Sequence, residues 1–263
     1  KLFFGSLSMS DKLRLAITGA TGNIGSAYRK HVGDRYDVRL MDIRPVPDAD
    51  GEDTVVGDLA DPAVAVATCK GMDVVLHLAA DPRVYAEFYA DLIDANFKAV
   101  YNIYRAAKDE GVKRVIFASS VNSVLGYPSS HQVRPEDAPC PKNVYGASKA
   151  FGESLGAYFA AEEGLEVIAV RIGGFGPVSG INKDTTYLWN SFFVSDRDLC
   201  HLFDRCIVTP NITFAIAHGI SNNRYCGLDI TDTCKLFDYH PQDDGYAITD
   251  ADAKAHAEAT KGS

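Results

Sequence analysis

The stretch LRLAITGATGNIG, residues 13–25, decides the fold of this chain. It begins as an apolar run that predicts a buried strand, and Gly19, Gly22 and Gly25 follow at three-residue spacing. Asn23 then opens a helical pattern, NIGSAYRKHVG. Glycine permits a tight turn and a close approach of the backbone, and the N-terminus of the following helix attracts a pyrophosphate. A glycine triplet alone is typical of many turns, but between a strand and a helix it indicates a dinucleotide site.

Strands and helices alternate downstream of this stretch with little interruption. Strands are predicted at 36–42, 53–58, 73–80, 114–120 and 166–172, and helices at 23–33, 62–71, 84–110 and 144–163. This alternation predicts an α/β fold of the Rossmann type, a doubly wound parallel sheet with helices on both faces. Ligands of such sheets bind at the carboxyl ends of the strands.

The pattern changes after Gly176, where sheet strands become fewer. Helices are predicted at 187–193, 196–207 and 231–240, with one strand at 213–220. We expect this region to form a small C-terminal substrate lobe over the carboxyl ends of the main strands. The expected divisions are a dinucleotide-binding domain at 9–176, the substrate lobe at 177–245 and a tail without an assigned role at 246–263. Residues 1–8 precede Met9, the expected natural start, and we expect them to be an expression remnant outside the fold.

Composition and charge exclude several classes of partner. The 263 residues carry a net charge of −9, which argues against binding to nucleic acid. No stretch of about 18 apolar residues is present, so we expect no membrane span. The six cysteines form no CxxC pair and fit no zinc template, so we expect no metal site and a location in the reducing cytoplasm.

Asp42, at the end of the second predicted strand, indicates the kind of dinucleotide. A carboxylate about 20 residues beyond the glycine turn accepts hydrogen bonds from the adenosine ribose and repels a 2′-phosphate. We therefore expect NAD rather than NADP, although Arg44 leaves weak NADP binding open and Asp42 could instead cap an ordinary turn. The other expected NAD contacts are Asn23, Ile24, Ile43, Asp58, Leu59, Leu78, Ala79, Ala80, Ala118 and Ile172.

Tyr145 and Lys149, in the run YGASK, are the candidate catalytic residues on the helix after the fifth strand. Their four-residue spacing puts both side chains on one helix face. We expect the lysine ammonium to lower the pKa of the tyrosine and to bind the nicotinamide ribose, while the phenol exchanges a proton with a substrate alcohol. Ser120, at the strand end, can hydrogen-bond the same oxygen. A YxxxK pair alone is common in solvent-facing helices, but its place after the glycine turn, Asp42 and Ser120 favours catalysis.

These residues together resemble the short-chain dehydrogenase/reductase superfamily, in its extended or epimerase-like branch. The resemblance is carried by GATGNIG (19–25), HLAA (77–80), FASS (117–120) and YGASK (145–149), and it covers residues 13 to about 244. Asn96 matches a position where the family has an asparagine that supports the active site and cofactor. Helices such as those at 84–110 and 144–163 commonly pair between subunits in this superfamily, so the resemblance implies a homodimer.

Within that branch, the C-terminal half is similar to uronate dehydrogenases and to archaeal NAD-dependent sugar dehydrogenases. The similarity lies in VRIGG (170–174), SDRDLCHLFDRC (195–206), HGIS (218–221) and YHPQDD (239–244). The resemblance implies an NAD-dependent oxidoreductase that oxidises C1 of a small cyclic sugar or sugar acid to the lactone. In the implied mechanism Tyr145 takes the anomeric proton and Ser120 holds that oxygen while hydride passes to the nicotinamide.

The sequence departs from the uronate enzymes around the sugar. Those enzymes follow the strand-end serines directly with asparagine and histidine, whereas here Val121 follows Ser120 and Asn122 is displaced by one position. Their carboxylate-binding arginine falls near Leu188, which leaves Arg83 and Lys183 as candidate cations. The expected substrate contacts are Arg83, Ser120, Asn122, Tyr145, Gly173 and Lys183.

Two other functions remain open on the same fold. A sugar or nucleotide-sugar epimerase or dehydratase would keep NAD bound without net reduction, but such enzymes usually have a larger C-terminal domain than this chain. A non-enzymatic NAD-sensing protein is the second alternative. Such proteins commonly lose the catalytic tyrosine, whereas Ser120, Tyr145 and Lys149 are all present here.

Overall fold

Seven parallel strands form the central sheet in the computed structural model, which describes residues 12–176 and 187–250. The strands in chain order are β1 (Arg14–Thr18), β2 (Asp37–Asp42), β3 (Asp53–Val56), β4 (Val74–His77), β5 (Arg114–Ser120), β6 (Glu166–Ile172), β7 (Gly174–Gly176), β8 (Phe193–Ser195) and β9 (Phe214–Gly219). The spatial order of the sheet is β3-β2-β1-β4-β5-β6-β9, and β7 pairs separately with β8. The winding direction reverses between β1 and β4, so a ligand crevice is expected at their carboxyl ends.

Helices cover both faces of this sheet, as the alternation predicts. They are α1 (Asn23–Val32), α2 (Pro62–Cys69), α3 (Ala99–Asp109), α4 (Val144–Glu163), α5 (Asp196–Val208) and α6 (Thr231–Phe237). Across residues 12–176 and 187–250, none of the helices combines the length and the apolar character that crossing a bilayer requires.

Two hydrophobic cores result, because successive side chains of a strand point to opposite faces. Along β1, Leu15 and Ile17 pack in the core that contains Tyr28 of α1 and Phe203 of α5. Ala16, between them, belongs to the core under α2, α3 and α4. The Rossmann-type doubly wound sheet is therefore confirmed.

The predicted strand at 73–80 is too long. β4 ends at His77, because the next two amides, of Leu78 and Ala79, donate to the Thr18 hydroxyl at 3.1 Å instead of continuing a ladder. β3 and α2 each end two residues before their expected limits.

Helix limits also differ from expectation. The helix predicted at 84–110 begins at Phe88 in the structure. Its first part, Phe88–Lys98, is a wide π-helical stretch that leads into α3. α6 stops at Phe237 because Asp238 adopts a positive φ of 52°, so the predicted continuation to residue 240 is wrong. Residues 245–250 of the C-terminal part are helical.

The region expected to form a lobe has two parts. Its strand β9 pairs with β6 as the edge of the main sheet, and α5 is linked to α1 by a 2.8 Å hydrogen bond from the Tyr28 hydroxyl to Asp204. A third, smaller core joins the segment after β5 to the segment after β9 through Val121, Ile220 and Leu228. This third core is built from residues that follow the ends of β5 and β9, and the division of the chain at Gly176 stays a prediction.

Candidate active site

The glycine turn after β1 forms an open cradle at the carboxyl edge of the sheet. Gly19 has a φ of +67°, and a Cβ there would lie 2.9 Å from the backbone of Ala79. A Cβ on Gly25 would lie 2.2 Å from the carbonyl oxygen of Gly19. Among the residues that the structure describes, no side chain caps the first turn of α1, which begins after Gly22, so its N–H groups can bind an acceptor. These features fit a pyrophosphate held by the backbone.

Asp42 connects the glycine turn to the end of β2. Its buried carboxylate accepts hydrogen bonds from the amide and the hydroxyl of Thr21, both at 2.9 Å, and from the Arg44 amide at 3.3 Å. A carboxylate has about four lone-pair sites, so capacity remains for a ribose hydroxyl. Asp42 thus holds the turn, as the simpler interpretation expected, and can also bind a ribose.

The other expected NAD contacts fall into distinct groups. Ile43 is exposed beside Asp42, and Asp58 is an exposed turn residue that accepts from the Ala60 amide at 2.9 Å. The segment 78–80 borders the glycine turn through Ala79. In contrast, the side chains of Leu59 and Ile172 lie in the hydrophobic cores, so only their backbone can reach a ligand.

Ser120, Tyr145 and Lys149 meet as the sequence predicts. Ser120 ends β5, and the other two lie on the first two turns of α4; all three side chains are buried. The Ser120 hydroxyl lies close enough to the Tyr145 hydroxyl to lower the pKa of the phenol, and Lys149 Nζ lies 5.6 Å from the centre of the Tyr145 ring. A proton donor, a phenol and an ammonium therefore converge at the carboxyl end of β5, two strands along the sheet from β1 and its glycine turn.

Burial is the largest influence on the pKa values of both Tyr145 and Lys149. Burial raises the pKa of Tyr145, the Ser120 hydrogen bond lowers it, and the Asp81 charge raises it further. Burial also lowers the pKa of Lys149 to about 8. Burial is the largest influence on the pKa of Tyr145 because it penalises the phenolate, and the expectation that Lys149 lowers this pKa stays a prediction.

Asn96 links the loop after β4 to the start of α4 by hydrogen bonds. Its side-chain oxygen accepts from the Asp81 amide at 2.8 Å, and its Nδ2 donates to the Asp81 carbonyl at 3.1 Å and to Ser148 Oγ at 3.0 Å. Ser148 in turn donates to the Tyr145 carbonyl at 2.7 Å. Asn96 therefore fixes the loop after β4 against the first turn of α4.

Sequence reasoning missed Asn143. This residue caps α4 by accepting from the Gly146 amide at 2.7 Å, and its Nδ2 donates to Asn122 Oδ1 at 3.0 Å. Asn122 donates to Ser120 Oγ from both its amide and its side chain, each at 3.2 Å. The signal was available, since asparagine is a preferred N-cap and stands directly before the helical run VYGASK.

The expected substrate residues are only partly brought together. The Arg83 guanidinium is exposed and already paired with Asp81 and, at 2.8 Å, with Asp91, so it is not a free clamp for a carboxylate. A Cβ on Gly173 would lie 1.8 Å from the Phe192 carbonyl oxygen, which makes this glycine a close-packing position. Lys183 lies outside the described residues.

Comparison with known proteins places these features among enzymes that use NAD. The profile of the NAD dependent epimerase/dehydratase family matches residues 15–187. The chain is 32% identical over 254 residues to the NAD-dependent glucose-6-phosphate dehydrogenase of Haloferax volcanii, which covers 89% of this chain and 94% of that protein. It is 34% identical over 235 residues to a uronate dehydrogenase of Pseudomonas syringae pv. tomato, covering 88% and 82%. The crystal structure of uronate dehydrogenase from Agrobacterium tumefaciens superposes with a TM-score of 0.83 at 29% identity, covering 92% of this chain and 89% of that one.

Proposed function

The chain belongs to the NAD dependent epimerase/dehydratase family, and from this membership we propose that it oxidises a small cyclic sugar or sugar acid at C1 to the lactone. The observation that carries the proposal is the convergence of Ser120, Tyr145 and Lys149 at the carboxyl edge of the sheet that also carries the glycine turn. The two curated relatives named above act on a sugar phosphate and on a uronate, by their names.

NAD is the cofactor, and the site fits it. The glycine turn and the first turn of α1 would hold the pyrophosphate, and Asp42 would hold the adenosine ribose. Lys149 and Tyr145 would bind the nicotinamide ribose. When bound, NAD supplies the acceptor for the hydride that leaves the sugar carbon.

Tyr145 takes the proton from the C1 hydroxyl, and Ser120 makes this feasible. Both lone pairs of Ser120 Oγ accept from Asn122, at 3.2 Å, so the one hydroxyl hydrogen is left to donate toward Tyr145. Such donation stabilises the phenolate, which is why this contact lowers the pKa of Tyr145 against the effect of burial. The same hydrogen can bond the substrate oxygen as it loses its proton.

The two alternative functions receive less support. Both curated relatives named above are dehydrogenases rather than epimerases. Burying a phenol, a hydroxyl and an ammonium together costs free energy. A sensor has no chemistry that requires this arrangement.

We also propose that the enzyme is a homodimer. Support comes from exposed aromatic side chains on adjoining helices: Tyr89 is 86% exposed, and Tyr101 of α3 and Tyr158 of α4 are about half exposed on either side of Phe159. An apolar face of this kind is unusual on a monomer. A cytoplasmic location is proposed because all six cysteines are free thiols.

The function is tested by mixing the purified protein with NAD and a panel of aldoses, uronates and sugar phosphates. Reduced nicotinamide is followed by absorbance, with Tyr145→Phe as the control. We expect at least one sugar to reduce NAD in a Tyr145-dependent manner. No reduction with any sugar, together with tight retention of NAD, would instead support an epimerase.

A further inference from the structure

A buried ion pair lies directly behind the catalytic serine. The side chains of Glu153 in α4 and Arg171 in β6 are only 4% and 2% exposed, and they form two parallel hydrogen bonds of 3.0 Å. Replacing such a pair with apolar side chains of similar volume is often neutral or stabilising. Stability alone therefore does not account for two charges at this place in the core.

The carboxylate of Glu153 binds the residues on both sides of Ser120. Its Oε1 accepts from Ser119 Oγ at 2.5 Å and from Ser123 Oγ at 3.0 Å. Ser123 Oγ also lies 2.8 Å from the Ser120 carbonyl oxygen, so its hydrogen is shared between the two acceptors. The carboxylate thus holds the backbone that carries the Ser120 hydroxyl.

Arg171 extends this network to the loop that leads into α4. Its two terminal nitrogens lie 3.5 Å from the Arg134 carbonyl oxygen and 3.3 Å from that of Asp137. Glu153 stands four residues beyond Lys149 and eight beyond Tyr145, on the same face of α4. The pair therefore joins the end of β5 and α4, which carry the proposed catalytic groups, to the loop that connects them.

We propose that Glu153 and Arg171 are positioning residues that hold the segment carrying Ser120, so that its hydroxyl points toward Tyr145 in the reactive geometry. The inference rests on the proposed function, since it assumes that donation from Ser120 toward Tyr145 serves proton removal from the sugar. Neutralising the pair releases Ser119 and Ser123 from their shared acceptor. The Ser120 hydroxyl then loses its fixed direction toward the phenol, and misplacement of about 1 Å is enough to slow a reaction strongly.

The test is a double-mutant cycle between the pair and Ser120. Glu153→Met/Arg171→Met is made in the full-length protein and in the Ser120→Ala variant. We expect a loss in kcat of about 10- to 100-fold with Ser120 present. In the Ser120→Ala background, a pair that acts through Ser120 should cost less than about twofold more, since coupled residues are not additive. Equal losses in both backgrounds would overturn the proposal.

Arg114 and Glu166 provide a matched control at the other end of the same two strands. Arg114 begins β5, pairs with Glu166 at the start of β6 and donates to two backbone carbonyls, of Cys206 and Ile207. Arg171 likewise pairs with a carboxylate and reaches two carbonyls. Arg114→Met/Glu166→Met should leave kcat within about twofold of the parent value, whatever its effect on the free energy of unfolding. If this control lost as much kcat as the Glu153/Arg171 variant, the loss in both would come from general destabilisation.

Two further measurements apply if the paired methionine variant does not fold or if no sugar is oxidised. If the paired methionine variant does not fold, Ser119→Ala/Ser123→Ala removes the links to Ser120 while leaving the ion pair intact, and it should show the same loss and the same dependence on Ser120. A second readout needs no turnover. The ¹³Cζ resonance of Tyr145, assigned by its loss in Tyr145→Phe, should shift in the pair variant and shift no further when Ser120→Ala is added. An unmoved resonance would refute positioning even if no sugar were oxidised.

Discussion

Lys149 Nζ donates a hydrogen bond to the carbonyl oxygen of Ala118 at 2.9 Å, and both atoms lie in the protein interior. The ammonium also lies 5.2 Å from the centre of the Phe117 ring. One carbonyl and two aromatic rings, those of Phe117 and Tyr145, take the place of the water that this charge would have on the surface. Burial therefore lowers the pKa of Lys149 to about 8, and the catalytic helix is tied to the end of β5.

Lys149→Met should change the pH dependence of stability. Between pH 8 and 10.5 the unfolded lysine is protonated and the folded one is neutral, so the unfolded state binds more protons and stability of the native protein rises with pH. The cost of burying the charge is therefore full below about pH 8 and disappears as the pH approaches 10.5. Denaturant unfolding at pH 7 and pH 10 should show the variant gaining most, relative to the parent, at pH 7. If the free energies of unfolding of variant and parent differed by the same amount at both pH values, the buried-charge interpretation would be contradicted.

Tyr145→Phe should keep the fold and NAD binding but lose the group that takes the proton. Turnover should fall by roughly 10²- to 10⁴-fold, the usual range for a general base. Calorimetry with NAD and steady-state kinetics measure the two effects separately. Near-normal turnover in this variant would assign proton removal to another residue.

Asp42→Ala should narrow the preference for NAD over NADP. The carboxylate repels a 2′-phosphate, so the parent should bind NAD at least about tenfold better, which corresponds to about 1.4 kcal/mol. The variant should also be less stable, since Asp42 holds Thr21 by two hydrogen bonds. Calorimetric titration with both dinucleotides tests this, and equal affinities in the parent would make Arg44 a phosphate ligand.

A comparison of Gly19→Ala with Gly33→Ala separates the cost of backbone strain from the cost of crowding the Ala79 backbone. Both glycines have positive φ, but a Cβ on Gly33 meets no atom of the described residues within 4 Å, whereas one on Gly19 meets the Ala79 backbone. Gly33→Ala should cost about 1 kcal/mol of stability, and Gly19→Ala should cost more and weaken NAD binding. Similar losses of NAD affinity in the two variants would show that the cradle does not depend on the close approach.

Arg83→Ala should raise the KM for uronates no more than the KM for neutral aldoses. Its charge is already balanced by Asp81 and Asp91, so binding a substrate carboxylate would require breaking both pairs. Lys183→Ala is the companion variant. A rise in KM confined to uronates in Arg83→Ala would restore Arg83 as the carboxylate clamp.

The glycine turn, the order of strands and helices, and the YGASK run were predictable because each is a local property. Left-handed turns need glycine, buried parallel strands need apolar runs, and helical spacing puts Tyr145 and Lys149 on one face. β5, α4 and β6 match their predicted limits residue for residue. Short-range sterics and periodicity therefore determined the dinucleotide fold and the position of its catalytic helix.

Tertiary structure alone decided which charges are paired and which are buried. Glu153 reaches Ser119 across 34 residues and Asn96 reaches Ser148 across 52, and no periodicity in the chain encodes those contacts. β9 completes the main sheet for the same reason, since strand pairing depends on partners remote in sequence. A pKa follows the burial and neighbours of the folded group, so the raised pKa of Tyr145 and the occupied state of Arg83 emerge only when distant segments pack together.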